Sequence, residues 1–147
     1  MLNTNIYIVT LKDIPELLKI ENMCFSDPWS KDTFKSSIEN ENSYFICEKY
    51  EDKIVGYVGM YWVLDEGYVY NLAVDENFRG LKIATNLMNE LFRYSQSIGL
   101  KFLSLEVRES NEIAKCLYRK LGFEQLGIRK NFYTSPTEDA IIMTYYF

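Results

Sequence analysis

The chain has 147 residues, a net charge of −5 and 48% hydrophobic residues, which predicts one globular domain over residues 1–147 rather than a disordered chain. It contains no histidine, and this excludes Ser-His-Asp and Cys-His catalysis together with metal sites that need imidazole. The acidic balance disfavours nucleic acid as a partner and suits either a basic protein partner or ordinary solubility.

The first part of the chain predicts a strand followed by two helices. Ile6–Val9 shows the alternation of a short strand. Asp13 and Pro15, a cap residue and an early proline, predict the start of a helix. Its inner face is predicted to carry Ile14, Leu17, Leu18 and Met23. Pro28 ends this helix, and Ser30 begins a second, shorter one.

Three strands joined by short turns follow. They are predicted over Tyr44–Lys49, Ile54–Leu64 and Tyr68–Val74. The turns between them are short and carry Asp, Glu and Gly, which is typical of an antiparallel meander.

The segment after this meander predicts a βαβ unit. A helix runs from about Leu81 to Ile98 and ends at Gly99, and the strand Phe102–Val107 comes next. The residues predicted to lie buried on the sheet are Leu81, Ala84, Leu87, Met88, Leu91, Ser95 and Ile98.

The last part predicts one more helix and two strands. The helix covers Asn111–Leu121 and is capped by Ser110 or Asn111. Ile113, Leu117 and Leu121 are predicted to pack inward, and Asn111, Ala114 and Tyr118 share a second face. Phe123–Arg129 and Ala140–Tyr146 are the final strands, joined by a looser segment. The fold class is therefore α+β, a mixed, mostly antiparallel sheet flanked by about four helices.

Segments for targeting or cross-linking are not evident in the sequence. No apolar run reaches the ~20 residues of a membrane helix, and Met1–Thr10 lacks the pattern of a secretory signal. We therefore expect a soluble, cytoplasmic protein with no membrane partner. Cys24, Cys47 and Cys116 lie far apart, and we expect them to be buried small hydrophobes rather than disulfide or metal ligands.

The turn Arg79–Ala84 lies between a strand and a helix. Backbone N–H groups there point outward at the positive end of the helix dipole, Gly80 permits close approach, and Arg79 or Lys82 adds charge. A diphosphate would bind well here, although most turns of this kind only connect a strand to a helix and bind no ligand. The P-loop and G-x-G-x-x-G patterns are both absent.

Glu106 and Tyr118 are the candidate acid–base residues. Glu106 is a carboxylate within an apolar strand. It is either a strand-end residue that reaches water or pairs with Arg108, or a general base. Tyr118 is either a core residue or, because it shares a helix face with Asn111 and Ala114, a hydroxyl that reaches a cleft.

These residues belong to a recognisable pattern. Its segments are Asn71–Val74, Arg79–Ala84, Leu105–Arg108, Ser110–Asn111 and Leu117–Phe123. Together they resemble the GNAT superfamily of acetyl-CoA-dependent N-acetyltransferases. Within it they are similar to the RimI group of bacterial enzymes, which acetylate the N-terminal alanine of a small-subunit ribosomal protein. The likeness runs from Cys24 to the end of the chain.

The resemblance implies a role for each matching residue. Glu106 accepts a proton from the amine, and Tyr118 donates one to the departing thiolate. Acetyl-CoA is the cosubstrate, with no metal. The cofactor-binding set is Leu72, Ala73 and Val74 for the pantetheine arm, Arg79, Gly80, Leu81, Lys82, Ile83, Ala84 and Thr85 for the pyrophosphate, and Asn111 and Tyr118. Lys82 stands where the superfamily usually has glycine, and we expect this position not to need a positive φ.

Two alternatives remain open. A GNAT enzyme can act on a lysine side chain or a small-molecule amine, because the acceptor is selected by loops rather than by the fold. From a different class, the chain could be a non-catalytic acyl-CoA-binding module, although the presence of both Glu106 and Tyr118 weighs against this.

Overall fold

The computed structural model describes residues 3–147, which form seven strands and four α-helices. The strands are β1 Asn5–Ile8, β2 Ser43–Tyr50, β3 Lys53–Val63, β4 Glu66–Val74, β5 Phe102–Arg108, β6 Glu124–Tyr133 and β7 Glu138–Tyr146. The helices are α1 Ile14–Cys24, α2 Lys31–Glu39, α3 Ile83–Ser97 and α4 Glu112–Lys120. None of these helices is long and apolar enough to cross a membrane, within the part of the chain that is described.

The seven strands form one sheet in the order β1-β2-β3-β4-β5-β7-β6. The only parallel neighbours among the described strands are β4 and β5, which α3 connects, and every other pair is antiparallel. The predicted meander, the βαβ unit and the mixed, mostly antiparallel sheet are therefore confirmed. Glu51 and Asp52 turn β2 into β3 with φ of 50° and 64°, the positive values that a tight hairpin turn requires.

The sheet separates two apolar clusters. On one side α3 and α4 cover β2 to β5 and β7, where Met60, Leu87 and Leu103 are fully buried. On the other side α1 and α2 cover β2 to β4 and enclose Leu17 and Phe34. The second pair of helices lies over the β1 side of the sheet, and the buried cluster beneath it contains no described residue of β5, β6 or β7.

Some predicted helix faces are wrong. Met23 is 42% exposed and Ile113 is 87% exposed. In α4 the core position is Tyr118, and Ile113 lies about 140° around the helix from it. Helix α3 begins two residues later than predicted, so Leu81 lies outside it and is exposed, as is Ile98 after its end.

The cysteines follow the prediction only in part. Cys47 is buried and Cys24 is partly buried, whereas Cys116 is exposed because it lies on the outer face of α4. All three are free thiols.

Candidate active site

A cleft opens between β4 and β5 because the two strands pair only at their beginnings. Their register runs from Glu66↔Phe102 to Tyr68↔Ser104. Beyond this point β4 continues to Val74, and within residues 3–147 no strand pairs with its β5-facing edge. The main chain of Leu72, Ala73 and Val74 therefore lies on an edge that an extended ligand can join by strand-like hydrogen bonds.

A bulge in β4 lies at the mouth of this cleft. Val58 pairs with Leu72 and Met60 with Val69, so Gly59 alone opposes both Tyr70 and Asn71. A bulge bends a strand and redirects its side chains. Here it lies within the open segment of β4, directly before Leu72–Val74.

The first turn of α3 carries unpaired donors. The first hydrogen bond of the helix runs from the Asn86 N–H to the Lys82 carbonyl, at 2.9 Å. The N–H groups of Ile83, Ala84 and Thr85 precede it and have no carbonyl partner within the helix. Helix α2 is capped by the Ser30 side chain, but α3 has no side-chain cap and no acidic residue in its first turn. These donors are therefore available to an anion.

The expectation for Lys82 is wrong. Lys82 has φ 65° and ψ 19°, a left-handed conformation, and it is the N-cap of α3. That conformation costs a residue with a side chain roughly 1–2 kcal/mol, so the position does call for positive φ, as glycine provides. Gly80 also has a positive φ, 79°, and no atom lies within 4 Å of where its Cβ would stand.

Arg79 fastens the loop to its surroundings. Its guanidinium donates to the Cys24 Sγ at 3.5 Å, and the Cys24 thiol donates to the Val74 carbonyl at 3.4 Å. Burial raises the pKa of Cys24, and the hydrogen bond from Arg79 opposes the rise. The loop, the end of α1 and the end of β4 are thus held together.

Glu106 lies near the end of β5 on the face that α1 and α2 leave uncovered. Its side chain is 33% exposed and pairs with the Arg129 Nε at 3.3 Å. The predicted alternative, a pair with Arg108, is wrong because Arg108 binds Glu138 at 3.1 Å. A half-exposed ion pair contributes little to stability, so Glu106 is not needed to hold the fold.

Tyr118 points its ring into the core and packs edge-to-face on Phe123. Its hydroxyl makes no hydrogen bond among the described residues. Burial raises its pKa above the ordinary value, and the neighbouring Tyr133 adds to the rise. Tyr133 itself has its pKa raised to about 12, chiefly by burial and then by the charge of Glu106. Tyr133 is therefore close to both candidate acid–base residues.

Asn111 is committed in part to the fold. Its side-chain oxygen accepts the Ala114 N–H at 3.1 Å and caps α4. The amide NH₂ remains a donor for a ligand. Of the two predicted caps, the structure selects Asn111.

Sequence reasoning missed Glu21, which is 1% exposed. The helical phase could have revealed it, because Glu21 follows Ile14 by seven residues and so falls on the apolar stripe of α1. Its partners are on β3, on β4 and in the loop after α1.

Comparisons with known proteins agree with this geometry. A sequence profile described as the acetyltransferase (GNAT) family matches residues 14–123. The ribosomal protein bS18-alanine N-acetyltransferase of Haemophilus ducreyi is 38% identical, covering 92% of this chain and 94% of that one. The crystal structure of the ribosomal-protein-S18-alanine N-acetyltransferase from Escherichia coli superposes with a TM-score of 0.91 at 33% identity, covering 98% and 94% of the two chains. Arabidopsis thaliana NAA60 in complex with acetyl-CoA shares the fold, with a TM-score of 0.91 at 19% identity over 99% and 100% of the chains.

Proposed function

The chain belongs to the GNAT family of acetyltransferases, and on that premise we propose that it transfers an acetyl group from acetyl-CoA to the N-terminal alanine of a ribosomal protein. The proposed acceptor is inferred from the reaction for which the related proteins are named. Proteins 34–38% identical over about nine-tenths of this chain are named for acetylating the alanine of bS18. A protein N-terminus is thus the acceptor, and the acidic chain, with net charge −5, suits a basic protein rather than nucleic acid or membrane.

The cleft and the α3 turn are the proposed acetyl-CoA site. The pantetheine arm would lie along Leu72–Val74. The diphosphate would accept hydrogen bonds from the backbone N–H groups of residues 83–85, at the positive end of the α3 dipole. Gly80 and Leu81 leave room for its approach, and Arg79 and Lys82 supply positive charge. The free amide of Asn111 would donate to the arm from the other side of the cleft.

The chemistry favours an N-terminal amine over lysine. An α-amino group has a pKa of roughly 7.7–8.0 and a lysine about 10.4, so deprotonation at pH 7 costs the N-terminus about 3 kcal/mol less. In the proposed reaction Glu106 takes the proton, directly or through one water, as the nitrogen forms its bond to the acetyl carbon. The C–S bond then breaks, and the Tyr118 hydroxyl supplies a proton to the thiolate.

The main chain completes this proposal. Negative charge develops on the thioester oxygen during attack, and a backbone N–H of the open β4 segment, Leu72–Val74, is the proposed donor to it. No covalent enzyme intermediate is needed, because the amine attacks the thioester directly.

The proposed acceptor groove lies between two loops that Arg108 ties together. One loop joins α1 to α2 and contains Ser26, whose hydroxyl oxygen is 3.5 Å from the Arg108 guanidinium. The other is the β6–β7 turn, where Arg108 donates to the Thr134 carbonyl at 2.9 Å and lies 4.4 Å from the Tyr133 ring. Glu106 is on the sheet face between them.

Intact-mass spectrometry of a peptide pair tests the acceptor. We expect a basic peptide with a free N-terminal alanine to gain one acetyl group when incubated with enzyme and acetyl-CoA. The matched control has the same sequence with a blocked N-terminus and a free lysine, and we expect no gain. Acetylation of the control would favour a lysine acetyltransferase, which would modify the lysine in both peptides. Binding of acetyl-CoA without any product on a panel of amines would favour the acyl-CoA-binding module.

Substitutions at Lys82 test the diphosphate site. Glycine relieves the left-handed conformation, a gain of about 1 kcal/mol offset by ~0.5–1 kcal/mol of backbone entropy, while alanine removes the charge and keeps the strain. We expect both variants to bind acetyl-CoA a few-fold more weakly at low salt. Both should keep nearly wild-type stability, because alanine has the same strain that Lys82 already has and the gain from glycine is largely offset. Calorimetric titration at two ionic strengths should show the affinity difference from wild type shrinking as salt rises. Unchanged affinity in both variants would place the Lys82 side chain away from the diphosphate.

A further inference from the structure

Glu21 takes no part in the proton transfers of the proposed reaction, but its contacts indicate a positioning role. We propose that this buried carboxylate fixes the β4 bulge and the loop after α1 in the arrangement that the acetyl-transfer site needs. The inference rests on the proposed function, since the two segments it joins are the walls of the proposed thioester and acceptor sites.

Glu21 holds three separate segments. Its Oε2 accepts the Trp29 backbone N–H at 2.9 Å, which ties down the loop between α1 and α2. Both carboxylate oxygens accept the Asn71 amide, at 3.2 and 3.3 Å, on the bulge of β4. Its Oε1 also accepts the Tyr57 hydroxyl from β3. Loop, bulge and sheet therefore meet at one side chain.

The bulge contact acts next to the cleft. A carboxylate only accepts hydrogen bonds, so the NH₂ of Asn71 must face Glu21 and its orientation is fixed. Asn71 directly precedes Leu72, the first residue of the Leu72–Val74 segment on the open β4 edge. Any rotation of the bulge would therefore turn the main chain that is proposed to receive the pantetheine arm and the thioester oxygen.

The loop contact acts on the acceptor side. Trp29 packs edge-to-face on Phe34 and Tyr70, with ring centroids 5.2 and 5.0 Å apart. Ring packing alone would let the Trp29 side chain slide over its neighbours. The hydrogen bond from the Trp29 backbone N–H to Glu21 fixes the position of the loop relative to the sheet. The same loop carries Ser26, which Arg108 contacts.

The three bonds to Glu21 explain why a carboxylate, rather than an apolar residue, occupies this buried position. Within residues 3–147 no cation contacts Glu21, and the titratable groups that face it are Tyr57 and Cys24. Burial raises the pKa of Glu21, and the hydrogen bonds from Tyr57, Trp29 and Asn71 only partly oppose this. An apolar residue would avoid the cost of burying the charge, but it could not accept bonds from three segments at once.

The decisive variant is Glu21→Gln, which keeps the shape but makes one of the two oxygens a donor. We expect kcat for the alanine peptide to fall about 10-fold and peptide KM to rise several-fold, because small displacements of reacting groups are costly. Affinity for acetyl-CoA should fall by a smaller factor than kcat, because only the pantetheine segment of the proposed site shifts and the α3 turn is untouched. Amide hydrogen exchange at Trp29 should become faster.

The stability of Glu21→Gln should depend on pH in a way that its activity does not explain. A raised pKa in the folded state stabilises the protein below the unfolded pKa, and this stabilisation is lost as pH rises through the folded value. Glutamine does not titrate, so only the wild type loses this stabilisation. The stability of Glu21→Gln relative to wild type should therefore increase as the pH rises above the ordinary pKa of a glutamate, roughly 4.3. Its melting temperature at pH 7 should lie within about 5 °C of wild type.

Two further variants keep the test decisive. Tyr57→Phe removes a donor to the same carboxylate and leaves the bonds of Trp29 and Asn71 to Glu21 in place, and we expect less than a threefold loss of kcat. Asn71→Ala removes only the bulge contact, so kcat should fall while Trp29 exchange stays slow, and it serves if Glu21→Gln does not fold. An equal loss in Tyr57→Phe, or wild-type kcat and Trp29 exchange in Glu21→Gln, would overturn the proposal. A wild type that acetylates no amine would overturn the proposed function instead, and Trp29 exchange would still decide whether Glu21 holds the loop.

Discussion

Replacing Glu106 with Gln is expected to lower kcat for acetylation of an alanine-starting peptide by ~10²–10⁴-fold, the usual contribution of a positioned general base. Glutamine keeps the shape of the side chain but cannot take the proton that the attacking amine must lose. The fold should survive, because the bond to Arg129 is a half-exposed ion pair of small energetic value. Steady-state kinetics with a thermal melt on the same preparation measure both effects.

The matched control for this variant is Arg129→Gln. It breaks the same ion pair and leaves the carboxylate in place, so a role limited to the ion pair predicts equal losses in the two variants. We expect Arg129→Gln to retain kcat within about 10-fold of wild type. Wild-type turnover in Glu106→Gln would remove Glu106 from the mechanism.

The second large effect is expected for Tyr118→Phe, with a fall in kcat of ~10²-fold, the lower end of what a positioned general acid contributes. The ring keeps its packing on Phe123, and only the hydroxyl proposed to protonate the thiolate is lost. Since burial raises the pKa of Tyr118, the hydroxyl stays protonated at neutral pH and is in the state that a donor needs. Acetyl-CoA affinity, measured by titration, should remain within a few-fold of wild type.

The neighbouring hydroxyl provides the comparison. Tyr133→Phe removes a second, partly buried phenol in electrostatic contact with Tyr118 and Glu106, and we expect it to act mainly on peptide KM. If Tyr118→Phe keeps both the turnover and the pH–rate profile of wild type, the tyrosine is a core residue and another donor protonates the sulfur.

Local patterns in the sequence were enough to predict the centre of the fold. The alternation in Phe102–Val107, the left-handed stop at Gly99 and the cap at Asn111 each depend on neighbours within a few residues. The structure reproduces all three. The open edge of Leu72–Val74 is different, because it depends on where β4 and β5 separate, and no local pattern records that.

The predictions that were wrong, and the residue that was missed, also depend on how distant parts of the chain come together. The left-handed φ of Lys82 arises from how the turn meets α3, and a lysine gives no sign of it. Ile113 was placed inward by its apolarity, but the short helix α4 turns Tyr118 to the core. Glu21 was overlooked because its partners Trp29, Tyr57 and Asn71 come together only through the tertiary fold.

A crystal structure with coenzyme A and an alanine peptide bound would test the proposed mechanism most directly. The account predicts diphosphate oxygens about 3 Å from the N–H groups of Ile83, Ala84 and Thr85. It also predicts that the Glu106 carboxylate reaches the peptide amine directly or through one water, beside the sulfur. A nucleotide bound elsewhere, or a Glu106 turned away from the sulfur with no water between them, would contradict it.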